Sequence, residues 1–435
     1  MGPAYSLAST MGPVVAAAGM AAPLALTSLS AIMLCIAISF AMLSRVAPSA
    51  GSSYSWIRMS FGRFVGAYGA WLLLISNFFS TMAIAVPAGS YTLELVAPQL
   101  AQDPHWVAGV GAIWILASTA LLYAGLTPTA MVTFVALLFE LLVLVAAAIA
   151  ALLVPHASGP ALDAARGAAH GGAIPLTFAG FVTAMTLGVW MSDGWEVSAS
   201  TSEEVATDAA ASGRGGIVGL IVTTVILVGC MTAYLHLGTP RGFAENAADS
   251  LDYVGRLLGG PWWRLAIVAA VMISTLSTLW TTILYLSRSV YAMGRDRVLP
   301  RPLAKLDKRN EPFLALVTVA VLTAICQLVT GYSPSANAQL TIVVTASSVF
   351  LGLLFVLSAL ATVRRFFADR AAVVPGVIVP AVGALALLGV IAATVLFQDR
   401  TTQYYAWAGV LLGILFALWR APKILTAERS AGSRP

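Results

Sequence analysis

The chain has 435 residues, of which 59% are apolar and only 9% charged, with a formal net charge of +5. Soluble domains carry about a quarter charged residues, so this composition in water would expose large apolar patches. A water-soluble globular domain is excluded, and the modest charge calls for no nucleic-acid partner.

Lipid is the alternative solvent. A hydrocarbon layer about 30 Å thick requires helices of about 20 apolar residues, and such runs occur almost end to end. A β-barrel would instead alternate apolar and polar residues over about ten positions. Runs such as Leu137 to Val154, unbroken but for one Glu, do not alternate. The expected fold class is therefore an all-α polytopic membrane protein with about twelve transmembrane helices. The three cysteines, Cys35, Cys230 and Cys326, lie apart within apolar runs, and the four histidines show no ligand spacing. No metal, cofactor or disulfide framework is expected. No cleavable signal peptide is evident, because the apolar start lacks a basic leader.

In chain order, a short segment punctuated by Gly and Pro runs from Gly2 to Ala18. Long helices are predicted over Ala22–Val46, Val65–Val96, Trp106–Leu126 and Thr129–Val154. A second interrupted segment covers Ile174–Ser200. Further spans follow at Gly216–Leu237, Trp263–Met293, Leu314–Thr330, Leu340–Val363, Val373–Phe397 and Tyr404–Trp419. The connections Pro155–Gly172 and Thr239–Trp262 read as external loops.

Lys and Arg favour the cytoplasmic side. With the N-terminus inside, 18 of the 23 basic residues fall in inner loops and 5 in outer ones. Both termini are thus expected in the cytoplasm, and the chain in the cell membrane. The first and sixth spans are the interrupted ones and cross in opposite directions. This divides the chain into residues 1–154 (spans one to five), an external loop 155–172, residues 173–366 (spans six to ten), residues 367–420 (spans eleven and twelve) and a tail 421–435. The two five-helix units read as inverted copies, in which paired broken helices mark a substrate site near the midplane.

The sixth span carries Trp190-Met191-Ser192-Asp193-Gly194-Trp195-Glu196, placing carboxylates and a glycine well inside an apolar stretch. Charge at that depth must face the bundle interior, water or a partner, and unwound backbone there is tolerated only along a cavity. The alternative is a span ending at Val189 with the acids in a solvated loop. That leaves about 16 residues from Ile174, short for about 30 Å at 1.5 Å each. Glu140 lies near the centre of its span with no basic residue within one helical turn. It suits a proton carrier or a neutral structural residue at a helix contact. Ser274, Thr278, Thr281 and Thr282 share one face of the eighth span, as a cavity lining or as packing glue. Trp190 and Trp280 read either as substrate-stacking rings or as packed side chains. Asn77 is equally open, and Trp262-Trp263 reads as an interfacial anchor.

Several strings match a known family. Pro48-Ser49-Ala50-Gly51-Ser52-Ser53-Tyr54-Ser55-Trp56 resembles the P-x-A-G-G-x-Y-x-[YW] signature of the amino acid–polyamine–organocation transporter family, continued by Phe61-Gly62-Arg63 and Gly69-Ala70-Trp71. Gly194-Trp195-Glu196 with Glu203-Glu204 is similar to its sixth-helix stretch. Arg288 with Tyr291-Ala292-Met293-Gly294-Arg295-Asp296 and Leu299-Pro300 resembles its R-x-x-Y-A-M-G-R-D-x-x-x-P run. The matches fall in order along nearly the whole chain. They imply the leucine-transporter-like fold of two inverted five-helix repeats.

The resemblance places the family's unwound first-helix motif on Gly2-Pro3-Ala4-Tyr5-Ser6 and its sixth-helix counterpart on Ser192-Asp193-Gly194. Backbone groups there are expected to hold the amino and carboxylate groups of an amino acid. Trp190, with Trp195, Glu196 and Trp280, completes the expected substrate site. Glu140 falls where proton-coupled members carry a fifth-helix Lys. Three departures stand out: about half a helix is expected before Gly2 and the sequence begins at the motif, so either the true start lies upstream or the inner half of the first span is missing. Met42 stands where the family has Glu, and the Pro pair expected near Asp208 is absent. Asp193 adds an acid that favours a cationic amine.

The resulting expectation is a secondary transporter of an amino acid or related organic amine, working by alternating access around the first and sixth helices, with the proton as coupling ion. The alternatives are a transporter-like membrane sensor and a permease for a non-amino-acid cationic amine. A channel fits paired broken helices poorly, and an enzyme lacks a nucleophile–base or metal pair.

Overall fold

The computed structural model describes residues 2–49, 51–124, 126–153, 174–200, 202, 209–247, 250–397 and 400–424. Runs of Ala, Leu, Val and Ile satisfy their backbone groups within helices, the condition for burial in hydrocarbon. The long helices are α1 (Pro3–Ala18), α2 (Ala22–Val46), α3 (Ser52–Val96), α4 (Pro104–Tyr123), α5 (Leu126–Leu153) and α6 (Phe178–Met191). They continue as α7 (Ala209–Leu237), α8 (Pro261–Arg295), α9 (Phe313–Thr330), α10 (Ala336–Phe366), α11 (Val379–Phe397) and α12 (Arg400–Arg420). No strand occurs among the described residues.

Nine stretches among the described residues are long and apolar enough to cross a membrane. One of them, Pro3–Val46, joins α1 and α2 across the turn Gly19–Ala21. α6 is apolar but only 14 residues long, and α12 is not among the nine. Leu142, Leu385, Leu396 and Leu415 stand on the outer surface at 63%, 71%, 74% and 61% exposure. In water such a belt would drive aggregation; against lipid tails it is matched. The protein is a multi-pass integral membrane protein.

Inside, α1 packs on α6 and α8, α2 on α7, and α4 on α9. α3 packs on α10 as α8 does on α5, α3 on α4 as α8 on α9, and α2 on α10 as α7 on α5. Exchanging each helix for the one five places along maps these neighbours onto one another. A ring cluster joins α2, α3, α10 and the chain after α6. Phe40 lies edge-on to Trp56, Trp195 and Phe355 at 5.2, 5.0 and 5.7 Å.

Local chemistry sets the element ends. Asp103 caps α4 by accepting from the His105 N–H at 2.8 Å, and Thr177 caps α6 by accepting from the Gly180 N–H at 3.0 Å. Within α3, Gly62 adopts φ 82° and ψ −167°, outside the helical region, so Ser52–Phe61 and Arg63–Val96 are two arms joined by a bend. Only glycine takes such a backbone without strain. The segment between α7 and α8 forms two short helices, Pro240–Glu245 and Ser250–Leu258, that pack on α1. There the buried Asp252 pairs with Arg264 at 2.6 Å and Arg256 at 3.5 Å. Trp262 is 79% exposed, as an interfacial anchor should be. The Glu203-Glu204 pair, the neighbourhood of Asp208, the loop 155–172 and most of the tail lie outside the described residues.

The candidate substrate site at the crossing of α1 and α6

The interruption in α6 lies where the sequence placed it. The helix stops at Met191, and Asp193–Glu196 form turns before Val197–Ser200 resumes as one helical turn. Gly194 has φ 105°, which L side chains avoid. Its N–H donates to Asp193 Oδ1 at 2.8 Å and to Glu196 Oε2 at 2.9 Å, so the freed amide is met by the two neighbouring acids. Asp193 Oδ2 also faces the Ser80 hydroxyl at 3.5 Å, and the same hydroxyl accepts from Trp190 Nε1 at 3.1 Å. Ser192 is buried and closes α6, its N–H donating to the Gly188 carbonyl at 2.9 Å.

The start of α1 corrects one expectation. The stretch Gly2–Ser6 is not unwound: Gly2 alone is extended, and Pro3 to Ser6 form the first helical turn. Proline fixes φ near the helical value at this position and lacks the N–H that would otherwise be left over. The next two amides find partners from distant helices. Ala4 N–H donates to Glu140 Oε2 of α5 at 3.1 Å, and Tyr5 N–H to Ser274 Oγ of α8 at 3.2 Å. Ser6 N–H closes the turn onto the Gly2 carbonyl at 3.1 Å. Gly2 lies so near α8 that a Cβ there would meet Thr278 Oγ1 at 2.2 Å and Ser274 Oγ at 2.6 Å. Tyr5 meets Trp190 edge-on at 5.5 Å, which ties α1 to α6.

Beside this crossing is a cavity of about 300 Å³. Pro3 of α1, Glu140 of α5, and Gly194 and Trp195 after α6 line it. Thr133, Thr223, Ser198, Ser277, Thr278 and Thr281 supply hydroxyls, while Leu137, Leu141, Val222 and Ile226 supply an apolar wall. The hydroxyl stripe on α8 thus lines a cavity and also caps α1. Glu140 is 1% exposed, and its Oε1 is buried without a hydrogen-bond partner. Thr278 Oγ1 and Trp195 Nε1 are in the same condition. Buried polar atoms are rarely left so, and these three border one cavity.

Of the residues expected to bind substrate, Pro3, Gly194 and Trp195 line the cavity, while Gly2, Ala4 and Tyr5 frame its α1 side. Ser6, Trp190, Ser192 and Glu196 do not line it and are buried, and Asp193 does not line it and is half-buried. Trp280 is also packed, donating from Nε1 to Thr133 Oγ1 at 2.7 Å. Asn77 is satisfied within α3, donating to the Leu73 carbonyl at 2.9 Å. Sequence reasoning missed Ser80 and Thr133, ordinary hydroxyl residues whose partners are far away in the chain. No group of three or more His, Cys, Asp or Glu suited to a metal ion occurs among the described residues.

Residues 1–417 match the amino acid permease family. The chain belongs to that family. An uncharacterized transporter of Mycobacterium tuberculosis is 29% identical over 328 residues, covering 73% of this chain and 68% of the relative. The branched-chain amino acid permease of Lactococcus lactis is 24% identical over 306 residues, covering 67% and 64%. The aromatic amino acid transport protein of Escherichia coli O157:H7 is 22% identical over 308 residues, covering 70% and 65%. This permease is thus a transporter, and the comparisons point away from an enzyme.

Proposed function

We propose that the permease is a secondary transporter of an amino acid or related organic amine, with its substrate site at the α1–α6 crossing. The observation that carries this is the cavity itself. It lies where the start of α1 meets the break after α6 and is lined by hydroxyls, an apolar wall and one buried carboxyl. A small ligand with a polar head and an apolar body fits such a lining. The amino acid substrates named for the Lactococcus and Escherichia relatives support the same class. Residues 1–154 and 173–366 act as inverted units that rock about the site, with helices eleven and twelve outside them. The excess of Lys and Arg in the loops assigned to the inner side supports cytoplasmic termini in a cell-membrane protein.

Glu140 is the coupling residue of this reading. Its carboxylate joins α5 to the first turn of α1, with the Ser274 hydroxyl of α8 against it. A proton removes the negative charge that the α1 terminus favours, so protonation loosens the tie between α1 and α5 within the first unit. The test is uptake into proteoliposomes under an imposed pH gradient. The expected result is gradient-driven accumulation that Glu140→Gln abolishes while substrate exchange continues. A Glu140→Gln protein that still concentrates substrate with unchanged pH response removes the coupling role. Absence of flux in every condition removes transport at this site.

A further inference from the structure

In a site that binds an amino acid through its backbone, the free amides at an interrupted helix receive the substrate's carboxylate, because a helix N-terminus carries unpaired N–H groups and partial positive charge. Here those amides are taken. Ala4 N–H holds Glu140 Oε2 at 3.1 Å, and Tyr5 N–H holds Ser274 Oγ at 3.2 Å. On the α6 side, Gly194 N–H holds both Asp193 and Glu196. The protein's own carboxylates therefore stand at both places suited to a ligand's carboxylate.

The rest of the lining agrees. No Lys, Arg or His is among the residues lining the cavity, and Glu140 is the ionisable one. Its free Oε1 is buried against that cavity without a partner. Arg288, the buried cation of α8, lies fourteen residues beyond Ser274, about 21 Å along the axis at 1.5 Å per residue. A second carboxylate entering here would meet a like charge at its docking point, and no side-chain cation among the lining residues offsets it. An ammonium would meet Glu140 Oε1, the hydroxyls of Thr278 and Thr281, and an apolar wall for its hydrocarbon.

We propose that Glu140 stands in for the substrate's carboxylate, so that the cavity selects organic amines without a carboxylate over the corresponding amino acids. This rests on the reading of the cavity as the transport site. Glu140 is then a specificity-determining residue: it both fills the α1 amide and supplies the counter-charge for the ammonium.

The test is competitive binding to the purified full-length permease, with matched pairs that differ only in the carboxylate: leucine against 3-methylbutylamine, and phenylalanine against 2-phenylethylamine. The wild type is expected to bind each amine at least tenfold more tightly than its parent amino acid. Glu140→Ala frees the Ala4 amide and removes the counter-charge, so the ratio should fall at least tenfold. Glu140→Gln keeps an acceptor oxygen for Ala4 without the charge, and its ratio should fall at least threefold. It decides the matter should the alanine variant fail to fold. Wild-type protein that binds the amino acids as tightly as the amines overturns the proposal and leaves transport standing. So does an unchanged ratio in Glu140→Gln. If neither class binds at all, the site reading falls and this proposal with it.

Discussion

The family-signature residues gather in two regions that treat their polar groups differently. Where the start of α3 meets the end of α8, Asp296 accepts from Tyr54 Oη at 3.1 Å and pairs with Arg58 at 3.1 Å. Trp56 is tied down as well, its Nε1 donating to the Ala47 carbonyl at 2.8 Å. At the α1–α6 crossing, by contrast, the amides are satisfied while Glu140 Oε1, Thr278 Oγ1 and Trp195 Nε1 face a cavity unpaired. Both regions hold buried polar atoms without a partner, Ser52 Oγ and Ser53 Oγ in the first, but those of the second line the cavity while those of the first do not. Both carry motif residues, so a motif by itself does not separate a fastening from a binding site. The difference lies in whether the leftover polar atoms border that cavity.

The largest expected effect tests the fastening. Asp296→Ala leaves Arg58 and Tyr54 without their acceptor in a mostly buried setting. It should cost about 2–4 kcal/mol, read as a lowered Tm in detergent, with substrate affinity per folded molecule unchanged. An affinity loss as large as the stability loss would erase the contrast between the regions. Next, Asp193→Asn keeps the shape of the side chain but weakens the bond that holds the Gly194 turn. Substrate binding should fall about tenfold, a change of about 1.4 kcal/mol, while Tm shifts little; intact affinity would move the substrate away from the α6 break. The smallest effects belong to two glycines with positive φ. Gly62→Ala and Gly194→Ala should each cost about 1 kcal/mol through backbone strain. Only Gly194→Ala should also lower affinity, which a binding titration beside the melting curve will show.

Much of the fold was legible because its cause is local. Each span is an apolar run whose length must match the bilayer, and the interruption at Asp193-Gly194 is written in residue types that disfavour helix. The site was legible only in part. Glu140 stood out as a lone acid, yet its partner Ala4 is 136 residues away and offers only a backbone N–H, which no side-chain pattern reveals. Ser80 reaches Asp193 across 113 residues, and Trp280 reaches Thr133 across 147. The expectation that Gly2–Ser6 would be unwound failed for a related reason. Pro3 favours helix, and the Ala4 and Tyr5 amides are met from α5 and α8, helices whose position the local sequence does not encode.

The bend at Gly62 has a mechanical consequence. Ser80, which touches Trp190 and Asp193, lies eighteen residues beyond it on the long arm of α3, about 27 Å along the axis. The short arm, carrying Tyr54 and Arg58, is moored to α8 instead. Past Gly62 the two arms lie against each other: a Cβ at Gly66 would meet Arg58 Cα at 2.8 Å, and one at Gly69 would meet Ile57 Cδ1 at 2.9 Å. The glycines thus let α3 fold back closely on itself, and a shift at the end of α8 reaches the long arm through that tight contact before it reaches Ser80.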